Sequence, residues 1–124
     1  MKWKIRDPKE KIQIEWWITA SKEYKDMFVL HRRKNTNHQQ IQLPFGSDLL
    51  VLIRHLEFIE SLSNNYLKID SSWEFNKFEN EFIYVGREKN KYYIEIETCP
   101  EDLIGRLKFT HLEVKELIVS LRRF

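Results

Sequence analysis

The chain has little of several residues that would point to a particular chemistry. Of its 124 residues, one is cysteine, three are glycine and three are proline. A lone cysteine, Cys99, cannot form an intramolecular disulfide, so the sequence favours a reducing compartment. The scarcity of glycine and proline argues against a disordered chain, and no glycine stands in the pattern of a phosphate-binding loop.

Long apolar runs are also missing. No stretch approaches the roughly 18 apolar residues of a membrane span, and charges occupy the start of the chain where a signal peptide would be apolar. We therefore expect a cytoplasmic protein without membrane association. The length predicts a single domain, residues 1–124, in which residues 1–64 and 65–124 form two pseudo-repeats if the chain arose by duplication.

Catalytic and metal-binding motifs are not evident either. The four histidines show no HExxH spacing, and Cys99 has no second cysteine and no indicated base partner. Glu95 and Glu97 share a predicted strand face, but no lysine follows at the spacing of a metal-dependent nuclease. The sequence predicts no enzymatic activity, no cofactor and no metal.

A rhythm of short strands followed by a helix is present, and it occurs twice. In the first half, period-two alternation predicts strands at residues 11–19, 27–33 and 39–43, with residues 3–5 as a further first strand. A helix follows at residues 47–62, with Ser47 as its N-cap and Asp48 in its first turn. Its apolar stripe is formed by Leu49, Leu50, Leu52, Ile53, Leu56 and Ile59.

The second half repeats this order, beginning near Tyr66. Strands are predicted at residues 73–78, 81–87 and 91–98, then a loop at 99–105 and a short strand at 106–109. The final helix, 110–123, has a capping box formed by Thr110 and Glu113. Its single apolar stripe comprises Val114, Leu117, Ile118 and Leu121.

These elements predict an α+β fold of two β-meander-plus-helix units, with the helices packed on one side of antiparallel sheet. An amphipathic helix must cover the apolar face of a sheet. Either both helices lie against one sheet, or each unit's helix packs across onto its partner. Both arrangements leave the other sheet face available for binding.

Aromatic and basic side chains are predicted on that free face. Residues 1–43 carry ten Lys and Arg against five Asp and Glu, whereas the remainder carries eleven against fourteen. Trp17 and Tyr93 fall on the polar faces of their strands, where rings can stack on unpaired bases. The sequence offers a rim for phosphates and bases around them: Lys22, Tyr24, Lys25, Arg32, Arg33, Arg87 and Lys89.

Two strand–helix junctions resemble families of single-stranded nucleic-acid-binding domains. Residues 40–50, Gln-Ile-Gln-Leu-Pro-Phe-Gly-Ser-Asp-Leu-Leu, are similar to the last strand and helix entry of a PUR repeat. Residues 106–117, Arg-Leu-Lys-Phe-Thr-His-Leu-Glu-Val-Lys-Glu-Leu, resemble the matching junction of the positive-cofactor-four group. Both groups, and the Whirly proteins, have a topology in which a unit of four strands and a helix occurs twice. The resemblance implies binding of single-stranded DNA or RNA on the sheet and dimerisation through the helices.

Two functions follow as expectations. The first is a non-enzymatic protein that binds single-stranded nucleic acid through an aromatic and basic sheet face. The alternative is a small protein-interaction module (an inhibitor, immunity or accessory protein) that uses the same face or an edge strand, because aromatics with arginine also suit protein hot spots. Two interpretations remain. Trp17 and Tyr93 could pack under a loop or in a dimer interface, or scattered acids and histidines could converge to form a small enzyme.

Overall fold

A computed structural model describes residues 1–63, 68–98 and 102–124. It confirms an α+β fold built from two β-meander-plus-helix units. The elements are β1 (Lys2–Asp7), β2 (Ile12–Ala20), β3 (Met27–Lys34), β4 (Asn37–Pro44), α1 (Ser47–Ser61), β5 (Ile69–Asn76), β6 (Glu81–Glu88), β7 (Lys91–Thr98), β8 (Asp102–Thr110) and α2 (His111–Arg123). Neither helix has the length and apolar character needed to cross a membrane.

The strands form two separate antiparallel sheets. Sheet 1 has the order β1-β2-β3-β4 and sheet 2 the order β5-β6-β7-β8, so each chain neighbour is also a spatial neighbour. Tight turns allow this order, and they place Lys11, Asn35, Asn80 and Lys89 at positive φ. The predicted alternation holds along β2, where Ile14, Trp16 and Ile18 are buried and the residues between them point outward.

The starts of two strands in the second half differ from the prediction because pairing extends these strands beyond their apolar runs. β5 begins at Ile69, not residue 73, since its polar start pairs with β6 from Ile69↔Arg87 onward. β8 begins at Asp102, inside the predicted loop, because a register shift after Ile96 lets Leu103 pair with Glu97. The predicted loop residue Cys99 and the predicted start of the second unit at Tyr66 lie outside the described residues.

The two helix starts are built differently. The N-cap of α1 is Gly46, with φ 73° and ψ −138°, so the prediction of Ser47 as N-cap was wrong; Ser47 is the first helical residue and no side chain caps this end. Asp48 does lie in the first turn, where its Oδ1 accepts a hydrogen bond from Trp73 Nε1 at 3.1 Å. The capping box of Thr110 and Glu113 at the start of α2 is confirmed.

The helices pack on each other and make contacts across the two units, as in the second of the two predicted arrangements: α1 lies on sheet 2, and α2 contacts β7 and β8 of its own sheet while its side chains reach sheet 1. From α1, His55 contacts Ser71 of β5, and the Ile59 carbonyl accepts a hydrogen bond from Arg87 of β6. From α2, Glu113 binds side chains of β2 and β3, and Phe124, which follows it, lies 4.9 Å from the Phe28 ring of β3. One continuous apolar cluster therefore includes inner-face residues of both sheets and both helices.

The strands β4 and β8 bring the two sheets together. The Lys108 backbone N–H donates to Gln39 Oε1 at 3.1 Å, and a Cβ added at Gly105 would lie 3.3 Å from Ile41. The helices and the inner faces thus lie inside, whereas the outer face of each sheet points away from the core.

Candidate nucleic-acid interface

The outer face of sheet 1 is the most basic strand surface of the described residues. Antiparallel register aligns its side chains in rows, such as Lys2↔Trp17↔His31↔Gln40 and Lys4↔Glu15↔Arg33↔His38. We name this surface the basic face and define it by Lys2, Lys4, Arg6, Gln13, Glu15, Trp17, Thr19, His31, Arg33, His38 and Gln40. It carries four permanently basic side chains against one carboxylate.

Trp17 lies at the centre of the basic face among parallel rings. Its ring stacks on His31 at 4.8 Å with an interplanar angle of 4°, and on His38 at 5.1 Å and 29°. The Arg33 guanidinium carbon lies 5.6 Å from the Trp17 centroid, a cation–π distance. Trp17 remains partly exposed, so a flat ring is held rigidly and still presents surface to solvent.

The two histidines belong to a chain of hydrogen bonds. Thr19 Oγ1 lies 2.8 Å from His31 Nε2, and His31 Nδ1 lies 3.0 Å from His38 Nε2. A neutral imidazole has one donor and one acceptor nitrogen, so with His31 neutral both hydrogen bonds of this chain are donated in the same direction, towards His38 or towards Thr19. Burial, and then the neighbouring His38, lower the pKa of His31 below 6.5. His31 is thereby kept neutral beneath Trp17.

A single carboxylate organises the cations of the basic face. Glu15 pairs with Arg33 at 2.5 Å, Lys2 at 3.8 Å and Lys4 at 3.9 Å. The hydrogen bond from Arg33 is the main reason that the pKa of Glu15 is lowered. The three cations keep about half of their side-chain surface exposed, so their charge is available to an anionic ligand.

Arg32 does not belong to this surface, and its prediction as a phosphate-binding residue was wrong. It alternates onto the inner face of β3, where it is 6% exposed. Its Nε and Nη2 donate to the two carboxylate oxygens of Glu113 at 2.7 and 3.0 Å. Burying a charge is unfavourable without such a partner, so this arginine is committed to joining sheet 1 to α2.

Arg87 is likewise internal, which corrects a second predicted phosphate contact. It is 2% exposed and donates to the carbonyls of Ile59 and Leu62, both at 2.7 Å, and of Lys89 at 2.6 Å. Its guanidinium lies 5.1 Å from the ring centroid of Tyr92. Burial raises the pKa of the Tyr92 hydroxyl to about 12 although this cation opposes the effect. Arg87 therefore satisfies carbonyls at the C-terminal end of α1.

Tyr93 points outward as predicted, but from sheet 2 and into acidic surroundings. Its ring lies against Gly86, where an added Cβ would come within 2.0 Å of it. Its hydroxyl donates to Asp70 Oδ2 at 3.5 Å. Burial, followed by the charges of Asp70 and Glu95, raises the pKa of Tyr93 to about 12. Tyr93 and Trp17 thus lie on the outer faces of different sheets, and the structure does not join them in one aromatic platform.

The remaining predicted residues lie in exposed connections. Lys22, Tyr24 and Lys25 are exposed in the loop between β2 and β3, and Lys89 is exposed in the turn between β6 and β7. Of the predicted set, Trp17 and Arg33 are therefore the two that share the basic face.

Sequence reasoning missed several members of the basic face. Lys2 and Lys4 alternate with Trp3 and Ile5, a pattern that predicts a strand with a basic outer side. His31 belongs to the basic run of residues 31–34 that the sequence places on the rim, but apolar residues occur on both faces of β3, so the sequence does not predict its contact with Trp17. Its position beside Trp17 depends on the β2–β3 register.

The described residues show no cluster of metal-binding side chains. They contain no group of three or more His, Cys, Asp or Glu side chains that could hold a metal ion. Glu95, one of the two acidic residues predicted to share a face of β7, forms a salt bridge with Arg106 at 3.0 Å.

Comparison with known proteins adds no relative to this picture. No protein-family model, curated protein or solved structure matches the chain.

Proposed function

We propose that the protein binds single-stranded DNA or RNA on the basic face, without enzymatic activity. The observation that carries this proposal is the partly exposed Trp17, stacked on His31 and His38 and surrounded by Lys2, Lys4 and Arg33. A stacked aromatic surface next to half-exposed cations suits a base and its phosphates.

The arrangement favours unpaired over paired nucleic acid. Trp17 can stack only on a base whose face is free, and bases in a duplex are covered by their neighbours. Gln13 and Gln40 are exposed on the same face and offer amide donors and acceptors to base edges. The cations supply a sequence-independent attraction that weakens as salt rises.

Fluorescence anisotropy with labelled oligothymidine and oligouridine tests the stacking contact. We expect salt-sensitive binding of micromolar affinity or tighter, and a loss of about 5- to 150-fold in Trp17→Ala, which corresponds to the ~1–3 kcal/mol of one stacked base. Trp17→Phe should restore part of the affinity. Phe58→Ala removes an exposed aromatic side chain from α1 and serves as the matched control, with unchanged affinity.

The charge contribution is tested by replacing Lys2 and Lys4 with glutamine. The slope of log affinity against log salt should decrease by about 0.7 for each lost phosphate contact. The same replacement of Lys91 and Lys108, on the outer face of sheet 2, should leave the slope unchanged. Equal affinity for a duplex, absence of salt-sensitive binding, or stoichiometric co-purification of a protein held by Trp17 would each overturn the proposal.

A further inference from the structure

A groove next to the basic face opens between the two sheets. It has a volume of about 1230 Å³ and is lined from sheet 1 by parts of β3 and β4, and from sheet 2 by parts of all four strands. The loop before β3 and the entry to α1 complete its wall. Of the residues predicted from the sequence to bind nucleic acid, only Tyr24 lines the groove, and of the basic face only Gln40 does.

Large apolar side chains are exposed around this groove. Phe78 is 98% exposed, Ile104 54%, Tyr24 52% and Phe45 37%. All four line the groove, although they come from four different segments of the chain. Neighbouring apolar side chains that remain in water are typical of a surface that binds a partner.

The charged residues of the groove all have one sign. The described lining residues include five carboxylates and no lysine or arginine: Glu23, Asp26, Asp48, Glu79 and Glu81. Within the described part of the chain, none of the five forms a salt bridge. Lys22 and Lys25 are exposed in the same loop as Glu23 and Asp26 but do not line the groove. The wall itself is therefore negative and would attract a cationic ligand.

Sheet edges on the groove wall favour an extended ligand. β4 and β8 are terminal strands of their sheets, and the described residues show no backbone hydrogen bond between them. Residues 40–42 of β4 and 104–105 of β8 both border the groove. The two strands meet where Gly105 lies against Ile41, so a ligand segment would pass along the groove beside this contact. Its N–H and C=O groups can pair with the parts of either edge that the other strand does not cover.

We infer that this groove binds an extended segment of a partner protein in which lysine or arginine alternates with apolar residues. The cations contact Glu23, Asp26 and Glu79, while the apolar side chains contact Phe78, Ile104 and Phe45. Alternation follows from strand geometry, because successive side chains point to opposite faces. This site shares Gln40 with the basic face but contains none of its cations, so the protein carries two adjoining binding surfaces of opposite charge.

Anisotropy with short fluorescein-labelled peptides tests the inference on the full chain. A peptide in which lysine alternates with valine should bind at least tenfold more tightly than peptides with lysine and serine, or with glutamate and valine. Phe78→Ser and the double variant Glu23→Lys with Glu79→Lys should each reduce its affinity by at least tenfold. Trp17→Ala should leave the peptide affinity unchanged, which separates this site from the basic face.

Matched controls change the same residue types elsewhere. Phe58→Ser and Glu116→Lys alter exposed positions on α1 and α2 and should retain full affinity, and circular dichroism melting should show that all variants are folded. If the lysine–serine peptide bound as tightly as the lysine–valine peptide, the groove would attract cations without recognising apolar side chains, and the inference would be overturned. Failure of every peptide to bind would also overturn it. So would sedimentation velocity showing a dimer that Phe78→Ser dissociates, because the occupant would then be a second copy.

Discussion

At the scale of single residues, the Glu113 carboxylate joins three elements: it binds side chains of β2 and β3 and the start of α2. Its Oε1 accepts from Trp16 Nε1 at 2.9 Å and from Arg32, and its Oε2 accepts from the Thr110 backbone N–H at 2.8 Å. The same carboxylate therefore caps α2 and neutralises the buried arginine of β3. Sequence analysis identified the first role from the spacing of Thr110 and Glu113 but not the second.

We expect Glu113→Gln to lower the free energy of unfolding by about 3–5 kcal/mol, because Arg32 would keep its charge in the interior without a counter-charge. Urea denaturation measures the loss. Glu116→Gln changes an exposed carboxylate on the same helix and should stay within about 0.5 kcal/mol of the parent. A loss below about 1 kcal/mol in Glu113→Gln would show that Arg32 is not desolvated.

His31 gives a prediction about pH. Because its folded pKa is lowered from 6.5, the unfolded chain binds more protons between the lowered value and 6.5. The free energy of unfolding should therefore decrease as pH falls through that window. Trp17→Ala exposes the imidazole and should raise the His31 pKa towards 6.5, as measured by NMR titration of the ring. A His31 pKa that does not move in Trp17→Ala would show that Trp17 does not bury it; Phe58→Ala is the control.

At the scale of elements, the sequence predicted both helices and placed their ends to within a residue or two. The stripe of α2 agrees with the buried residues, whereas Leu50 of the predicted α1 stripe is 55% exposed. Helical spacing defines an apolar face but not how much of it a neighbour covers. The strands β5 and β8 were predicted too short, since their first residues are held by ladder pairing and carry no apolar alternation of their own.

At the start of α1, two substitutions measure separately how backbone geometry and side-chain capping contribute to stability. Gly46→Ala should cost about 1–3 kcal/mol, because φ 73° with ψ −138° is unfavourable for any residue with a Cβ. A Cβ there would meet nothing within 4 Å, so no clash contributes. Ser47→Ala should cost less than about 0.5 kcal/mol, and a loss near 1 kcal/mol would instead identify Ser47 as a capping residue. Thermal and urea unfolding compare the two variants.

At the scale of the whole molecule, the exchange of helices between units makes the two halves depend on each other. The buried stripe of α1 lies against sheet 2, and α2, which also contacts β7 and β8, binds inner-face side chains of sheet 1 through Glu113. The basic face is therefore the side of sheet 1 that no helix covers. Its availability for a ligand follows from the same packing that joins the units.

We expect a fragment of residues 1–63 not to fold as a monomer, because it would expose both the α1 stripe and the inner face of sheet 1 to water. Its circular dichroism melt should lack a cooperative transition, and adding a fragment of residues 64–124 should restore one. A monomeric 1–63 fragment with cooperative unfolding would contradict the helix exchange. The full chain under the same conditions is the reference.

The sequence by itself determined which residues form strands and helices and which side of each is apolar, because alternation and helical spacing are local properties. It also placed Trp17 on an outward strand face and an excess of cations in the first half. Only the tertiary structure decided that Arg32 and Arg87 are internal, since each needs an anion or carbonyls from a distant element. The tertiary structure also places Tyr93 and Trp17 on different sheets. Which residues become neighbours depends on the register within each sheet and on how the sheets pack, and neither is a local property of the sequence.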